Sequence, residues 1–203
     1  AMQGVTVNAE VVRLDGHQAE LTKPIWEYID GAASADRVAT GRSQRANRAQ
    51  TLAAIESRYG VDGEVVVAIW GMESNYGSFK GSLPVIRSLA TLAYEGRRRE
   101  WAEEQLLAAL MILQAGDTTP GNMVGSWAGA MGHTQFMPTS FLTYAVDFTG
   151  NGQRDIWGSD PTDALASTAN YLARNGWQRG RPWGVEVRLP AGFNYASADQ
   201  SNR

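Results

Sequence analysis

The 203-residue sequence predicts a mainly α-helical fold with a short β segment near its C-terminus. Apolar residues recur three and four positions apart in most segments, which is the spacing of one helix face. A glycine follows most of these segments, as is common where a helix ends. The clearest alternation of apolar and polar residues lies between Val185 and Leu189, and alternation is typical of a strand.

Residues 1–60 are predicted to form the N-terminal helical part of a single domain. Residues 1–20 have a mixed composition and are predicted to be extended or irregular. A short helix is predicted after Pro24, and a longer helix over residues 41–59. The apolar residues that mark the inner faces of these two helices are Ile25, Trp26, Ile29, Ala46, Ala49, Leu52, Ala53 and Ile55.

The next predicted helix spans residues 63–74 and is unusually apolar for a segment that contains acids. The break at residues 60–63 separates it from the preceding helix. Asp62 is predicted to be its N-cap, because an aspartate side chain can accept a hydrogen bond from the first turn. Glu73 lies in its last turn.

Two helices are predicted in the middle of the chain. A glycine-bearing loop, residues 77–84, leads into a helix whose apolar face lies within residues 86–92. A long amphipathic helix then runs to Ala115, and Gly116 is predicted to end it. The residues expected on its inner side are Leu106, Leu107, Leu110 and Leu113.

The last third of the chain mixes loops, one helix and the predicted strand. A segment of small residues is expected at residues 125–140, and an Asp/Gly loop at residues 147–163. A helix is expected at residues 164–175, and the strand at residues 185–189. Residues 61–180 are therefore predicted to form the core. Residues 181–203 are predicted to contain the strand and a short C-terminal segment.

Composition excludes several classes of function. A net charge of −3 and a pI near 5.4 argue against nucleic acid as the main partner. The chain contains no cysteine, which excludes disulfides, thiol nucleophiles and thiolate zinc sites. His17 and His133 are the only histidines, so a zinc site with three nitrogen ligands is not expected. No apolar run reaches the length of a membrane span, and no leader is recognisable at the start.

Glu73 is the residue to which the sequence gives the clearest chemical role. Val66, Ile69 and Trp70 lie seven, four and three positions before it, so the four side chains are expected to share one helix face. A carboxyl group beside apolar side chains has a raised pKa and can hold a proton near neutral pH. Cleavage of a glycosidic bond requires such a general acid. The alternative is a buried structural glutamate held by a backbone partner.

Three blocks occur in chain order, namely Trp70-Gly-Met-Glu-Ser-Asn-Tyr-Gly77, Gly125-Ser-Trp-Ala-Gly-Ala-Met-Gly-His-Thr-Gln-Phe-Met-Pro138 and the loop that starts at Asp147. Together they resemble the membrane-bound lytic murein transglycosylase B family, also called glycoside hydrolase family 103. The resemblance covers about residues 20–203 and implies a lysozyme-like core that cleaves bacterial peptidoglycan. It also implies a location in the periplasm or cell envelope. The lipid-attachment cysteine of membrane-bound members is absent, which indicates either a soluble form or a removed N-terminus.

The family's single catalytic acid corresponds to Glu73. By resemblance, Glu73 first protonates the oxygen between N-acetylmuramic acid and N-acetylglucosamine. It then deprotonates the muramic C6 hydroxyl, which closes a 1,6-anhydro ring. Ordinary glycosidases use two carboxylates, but Asp62 and Glu64 lie about three turns from Glu73, too far to form a pair. A muramidase that uses water, or a catalytically silent glycan-binding scaffold, remains an alternative.

The resemblance also implies substrate-binding residues around the acid, namely Ser126, Gln135, Phe136, Arg97, Arg98 and Tyr171. Ser126 and Gln135 carry neutral groups suited to acetamido and hydroxyl groups. Arginine can hold carboxylates of the glycan or its peptide by paired hydrogen bonds. The alternatives are tight helix packing around the glycines of this block, a solvated helix start for the arginines and core packing for Tyr171. His133 is expected at the groove edge and is not assigned as a base.

The segment from Asp147 to Asp155 has the spacing of a calcium-binding loop, with oxygen-bearing side chains at positions 1, 3, 5 and 9 and glycine at position 6. Position 12 is Gly158, where the pattern has glutamate. By resemblance, a later aspartate, either Asp163 or Asp160, could replace it. The tentative ligands are Asp147, Thr149, Asn151, Gln153, Asp155 and Asp163. A metal-free turn held by side-chain hydrogen bonds is the alternative, and no cofactor is expected for catalysis.

By the same resemblance, peptidoglycan glycan strands are the expected partner, with proteins of the wall-building machinery as further candidates. Family members usually continue for tens of residues beyond the position of Arg203 and complete one side of the groove there.

Overall fold

The structure, a computed structural model, describes residues 2–16, 25–182 and 184–198, with the backbone alone at positions 25, 197 and 198. Predictions for residues 17–24 and 199–203 lie outside the described residues. The helices are α1 (Ala9–Asp15), α2 (Ile25–Ala32), α3 (Ala35–Asn47), α4 (Ala49–Tyr59), α5 (Gly63–Ser74), α6 (Val85–Glu95), α7 (Arg99–Ala115), α8 (Pro138–Tyr144) and α9 (Thr162–Arg174). A 3₁₀ turn covers Tyr195–Ala198. The predicted mainly helical fold is confirmed.

The strands form one short antiparallel pair in the described part of the chain. In this pair β1 (Leu83–Pro84) lies beside β2 (Val124–Gly125). Isolated bridges continue the pairing from Gly125 to Met131 and from Met131 to Phe136. A Cβ atom at Gly81 would lie 2.1 Å from the Gly125 carbonyl oxygen, so only glycine permits this approach. The pairing holds the segment after β2 against the loop that follows α5.

Two clusters of buried side chains form the core. The first joins α6, α7 and α8 and includes Leu89, Ile112 and Phe141. The second joins α4, α5 and α9 and includes Trp70 and Leu165. Burying one such aliphatic or aromatic side chain contributes roughly 1.5–3 kcal/mol. Because α9 contributes residues to both clusters, the two are parts of one core.

The predicted single helix over residues 41–59 is two helices, α3 and α4, which meet at Arg48. Arg48 has φ −117° and ψ 21°, outside the helical range. The change of direction allows α4 to bury Leu52 and Ile55, whereas α3 buries no residue fully. The Arg48 guanidinium lies 5.4 Å from the centre of the Trp70 ring and pairs with Asp160 at 3.8 Å.

The prediction that residues 1–20 are irregular was wrong for α1. Asn8 caps this helix by accepting a hydrogen bond from the Glu10 N–H at 3.0 Å, and the Asn8 N–H donates to Thr91 Oγ1 on α6. Val11 is fully buried against α6 and α7. The helix is therefore stabilised by long-range packing that the short sequence pattern does not reveal.

The prediction for Leu107 on α7 was wrong, and the prediction for Asp62 on α5 was correct only in its position. Leu107 is 57% exposed, although it was expected on the inner side of α7. The residues that α7 buries fully are mostly small, including Ala102, Ala108 and Ala109, and small residues allow neighbouring helices to approach closely. Asp62 is at the N-cap position of α5, but its side chain makes no capping bond and instead accepts from Arg179 Nε at 3.1 Å.

The strand predicted over residues 185–189 is not formed. Val185 is 75% exposed and Val187 is 66% exposed, and no described strand lies beside them. Alternation alone does not make a strand, because the backbone needs a neighbour with which to hydrogen-bond. Within the described ranges, no helix has the length and apolar character that crossing a membrane requires.

Replacing Gly71 by alanine is expected to lower the free energy of unfolding by about 1–3 kcal/mol. A Cβ atom there would lie 2.6 Å from Cζ of Tyr76, which packs on this face of α5. Urea unfolding followed by circular dichroism measures the change. Gly31→Ala is the matched control, because Gly31 is also helical and has no neighbouring atom within 4 Å of the added group. Equal effects at the two positions would contradict the Tyr76 explanation.

Candidate active site

The helix that carries Glu73 ends abruptly one residue later. Asn75 and Tyr76 have φ values of 48° and 57°, in the left-handed region that non-glycine residues seldom adopt, and Gly77 follows at 84°. The Ser74 hydroxyl accepts a hydrogen bond from the Gly77 N–H at 2.9 Å. This turn ends α5 one residue after Glu73, so the following residues do not continue the helix.

Tyr76 anchors the same turn to the neighbouring helix. Its hydroxyl donates to the backbone oxygen of Arg37 on α3 at 2.8 Å. Its ring packs against Gly71 and meets the Trp70 ring edge-on, with centroids 5.5 Å apart. Glu73 therefore lies in a helical turn that is held on both sides.

Glu73 lines a cavity of about 340 Å³ that opens where the two core clusters meet. The walls come from α5, from α9 and from the segment that leads into α8. The lining residues are Ile69, Glu73, Thr134, Gln135, Phe136, Met137, Ser140, Thr168, Tyr171 and Leu172. Among these described residues Glu73 is the only carboxylate.

Burial among these walls raises the pKa of the Glu73 carboxyl above its usual value. No hydrogen bond or ion pair to Glu73 exists within the described ranges, so no cation opposes this shift. The prediction of a shared buried face was correct for Val66 and Trp70, which are buried. Ile69 is half-buried and Glu73 itself is exposed on the cavity side, so the acid can reach a ligand.

Gln135 lies in the cavity wall in a strained backbone conformation, with φ 51°. Its side-chain Nε2 donates to the backbone oxygens of Gly132 at 2.8 Å and Lys80 at 3.3 Å. These bonds tie the wall to the loop after α5. A non-glycine residue held in the left-handed region costs about 1–3 kcal/mol and is common at functional sites.

Aromatic rings form another part of the cavity wall. Phe136 meets Tyr171 edge-on with centroids 6.2 Å apart, and Tyr171 meets Tyr144 at 4.8 Å. Phe136 is buried, whereas Tyr171 is 39% exposed and faces the cavity from α9. The structure therefore brings Gln135, Phe136 and Tyr171 together with Glu73 in one cavity, and their role in binding a substrate stays a prediction.

The other three predicted binding residues do not line this cavity. The Ser126 hydroxyl accepts from the Ala130 N–H at 3.0 Å and closes the turn after β2. The Arg97 guanidinium and backbone N–H both bond Asp15, which joins the α6–α7 corner to α1. Arg98 stacks on Trp101 at 4.3 Å. Their role in binding a longer ligand stays a prediction.

His133 is buried rather than at the groove edge, with 4% of its surface exposed. Its Nδ1 accepts from the Trp70 indole N–H at 3.1 Å, and its Nε2 lies 2.8 Å from the Gly158 oxygen. Burial lowers the pKa of His133, so the ring is neutral. An imidazole with both nitrogens occupied cannot serve a Ser-His-Asp triad.

The Asp/Gly loop is held by hydrogen bonds from its own backbone. Asp147 accepts from the N–H groups of Gly150, Asn151 and Gly152. The Gly152 bond is the largest of the effects that lower the pKa of Asp147. Asp163 is 2% exposed and accepts from the three backbone N–H groups of Phe148, Thr149 and Asp155.

The remaining tentative ligands are also engaged. Asn151 Oδ1 accepts from the Gln153 N–H at 2.9 Å, and Asp155 accepts from the N–H groups of Trp157 and Gly158. In the described part of the chain, no three acidic or histidine side chains are grouped so that they could hold a metal ion.

Sequence reasoning missed several cavity residues. Thr168 lies three positions before Tyr171 on α9, so helical spacing could have identified it. The cavity is also lined by Thr134, Met137 and Ser140, because the bridge between Met131 and Phe136 turns the chain towards it. No local sequence pattern predicts that turn.

A larger and more apolar cavity of about 470 Å³ lies between α2, α3 and α5. Its one lining carboxylate, Glu64, pairs with Arg45 on the surface. We assign the chemistry to the smaller cavity, because it contains an acid that has a raised pKa and no bonding partner among the residues that the structure describes.

Comparisons with known proteins identify the family to which the chain is similar. The family described as transglycosylase SLT domain matches residues 1–203. Membrane-bound lytic murein transglycosylase B of Escherichia coli (strain K12) is 40% identical over 141 residues, which are 66% of this chain and 38% of that protein. The crystal structure of SltB3 from Pseudomonas aeruginosa in complex with NAG-NAM-pentapeptide has a TM-score of 0.92 and 58% identity, covering 98% of this chain and 53% of that one.

Escherichia coli Slt35 in complex with calcium has a TM-score of 0.80 and 34% identity, covering 88% of this chain and 57% of that one. The chain therefore spans about half the length of these solved relatives.

Proposed function

This chain belongs to the transglycosylase SLT domain family, and we propose that it is a lytic transglycosylase that cleaves the β-1,4 bond between N-acetylmuramic acid and N-acetylglucosamine in peptidoglycan. The observation that carries the proposal is the isolated Glu73 carboxyl group, which lines a cleft without a second carboxylate among the described lining residues. The similarity to SltB3, solved with NAG-NAM-pentapeptide, supports the same substrate class.

The proposed mechanism uses Glu73 twice. Its raised pKa favours the protonated form, which donates its proton to the glycosidic oxygen as the bond to muramic C1 breaks. The muramic acetamido oxygen bonds to C1 and takes the place of a protein nucleophile. The muramic C6 oxygen then displaces the acetamido oxygen at C1, and the proton of the C6 hydroxyl passes to the Glu73 carboxylate. The enzyme is restored and the product ends in a 1,6-anhydro ring.

The cavity walls support this use of Glu73. Tyr171 presents a partly exposed aromatic ring suited to a sugar ring, and Gln135 lines the same cavity. Ser126, Arg97 and Arg98 are proposed to contact sugars or peptide carboxylates farther along the glycan. The proposed site of action is the periplasm or cell envelope, where this substrate occurs, and proteins of the wall-building machinery are proposed as partners.

A muramidase would use the same acid but transfer water to C1. Mass spectrometry of a murein digest distinguishes the two, because anhydro ends lack one water relative to reducing ends. We expect anhydro ends. Reducing ends would favour the muramidase, and an unchanged digest would favour a silent glycan-binding scaffold.

Calcium binding by the Asp/Gly loop is expected to be weak, with a dissociation constant no tighter than about 0.1 mM. Position 12 is Gly158, and the oxygens of Asp147 and Asp163 already accept backbone N–H groups. Slt35 was solved with calcium, which supports testing the loop. Isothermal calorimetry with calcium measures the affinity, and micromolar binding would contradict the prediction.

A further inference from the structure

His133 lies at the junction of three segments. Because an indole N–H can only donate, the bond from Trp70 Nε1 makes His133 Nδ1 the acceptor. The proton of the neutral ring is then on Nε2, which donates to the Gly158 oxygen at 2.8 Å. The ring therefore links α5 to the end of the Asp/Gly loop with both nitrogens used.

The backbone of His133 makes two more links between the same segments. Its N–H donates to the Ile156 oxygen at 2.9 Å. Its carbonyl oxygen accepts from the Ser74 hydroxyl at 2.5 Å. A Cβ atom at Gly77 would lie 2.5 Å from the ring, so the turn after α5 is shaped to admit this imidazole.

These links connect both sides of the cleft. On one side, Trp70 lies one helical turn before Glu73, and Ser74 is the residue directly after Glu73. On the other side, Thr134 and Gln135 follow His133 and line the cavity wall. His133 itself does not line the cavity, so it can act on a ligand only through these neighbours.

We propose that His133 is a positioning residue that fixes the Glu73 carboxyl group relative to the Gln135 wall of the cleft. The inference rests on the proposed role of Glu73 as general acid. A displacement of about 1 Å between reacting groups can reduce turnover by about 100-fold. Loss of the two ring bonds should therefore reduce kcat much more than it changes KM.

The test compares His133→Phe with His133→Gln in soluble murein turnover. Phenylalanine keeps a flat ring but loses both hydrogen bonds, and glutamine keeps one acceptor and one donor. We expect His133→Phe to lower kcat by roughly 10- to 100-fold with KM within about threefold. We expect His133→Gln to recover most of kcat. Ser88→Ala, which removes a buried hydroxyl with no partner among the described residues, is the matched control and should behave as the wild type.

A kcat of His133→Phe within twofold of wild type would overturn the proposal. A loss of kcat/KM that comes mainly from a higher KM would overturn it as well. If His133→Phe fails to fold by circular dichroism, two other variants disturb the same junction. Trp70→Phe removes the indole bond to His133 Nδ1, and Ser74→Ala removes the hydroxyl that bonds the His133 oxygen and the Gly77 N–H. Each should lower kcat, and unchanged kcat in both would overturn the proposal. Absence of turnover in the wild type and in Ser88→Ala would instead refute the proposed function, and the positioning role with it.

Discussion

Replacing Glu73 by glutamine is expected to reduce cleavage of murein by roughly 10²- to 10⁴-fold, the range that a general acid contributes. Glutamine has nearly the same shape but cannot donate and regain the proton that both proposed steps need. No other carboxylate lines the described cavity and could replace it. Release of anhydro-ended fragments, followed by mass spectrometry, measures the loss.

Glu64→Gln is the matched control, because Glu64 is on the same helix but pairs with Arg45 at the surface. Exposed pairs of this kind contribute about 0–1 kcal/mol, and the variant should keep full activity. If Glu73→Gln retained wild-type turnover, the assignment of the acid would be wrong. Binding of glycan fragments should survive in Glu73→Gln, since the aromatic wall is unchanged.

The raised pKa of Glu73 predicts that activity and stability both fall as pH rises. The first step needs the protonated acid, so its rate should fall as pH rises through the raised pKa. The same shift means that folding favours the neutral form. The folded state therefore gains stability below the ordinary pKa and loses it as pH rises through the folded-state value. Glu73→Gln should be more resistant to urea than the wild type at neutral pH, and the difference should vanish in acid.

Replacing Asp163 by alanine is expected to lower the free energy of unfolding by about 3–5 kcal/mol. Asp163 is almost fully buried, and its two oxygens accept the backbone N–H groups of Phe148, Thr149 and Asp155. Removing the carboxylate leaves three donors without an acceptor, and each unpaired buried group costs roughly 1–3 kcal/mol. Urea unfolding monitored by tryptophan fluorescence measures the change.

Asp160→Ala is the control for Asp163→Ala. Asp160 is exposed. Within the described ranges its carboxylate accepts hydrogen bonds only from Thr162, and the Arg48 guanidinium lies 3.8 Å from it. Its removal should lower stability by no more than about 1 kcal/mol. A similar small effect at Asp163 would show that water replaces the lost acceptor.

The parts of the fold that local sequence determines were predicted correctly. Apolar spacing and terminal glycines placed α5, α6, α7 and α9 within a few residues of their bounds. Glu73 was identified because its helix is apolar around it. Gln135, Phe136 and Tyr171 were identified through the resemblance of their blocks to a known family.

The errors concern features that depend on distant contacts. The helix α1 is stabilised by packing on α6 and α7, and the break at Arg48 is stabilised by Trp70 and Asp160. The strand over 185–189 was predicted from alternation without a partner. His133 was predicted at the groove edge and not in the core, because its two hydrogen-bond partners lie 63 and 25 positions away along the chain.

The dense bonding of the Asp/Gly loop has a consequence for proteolysis. A protease must draw an extended stretch of chain into its own cleft, and here the loop backbone is tied to Asp147 and Asp163 while Arg154 is clamped by Asp117. Arg188 is exposed, and residues 184–189 make no backbone hydrogen bond within the described ranges. In limited digestion, trypsin should therefore cleave after Arg188 much earlier than after Arg154. The Asp/Gly loop should then remain intact in the resistant fragment.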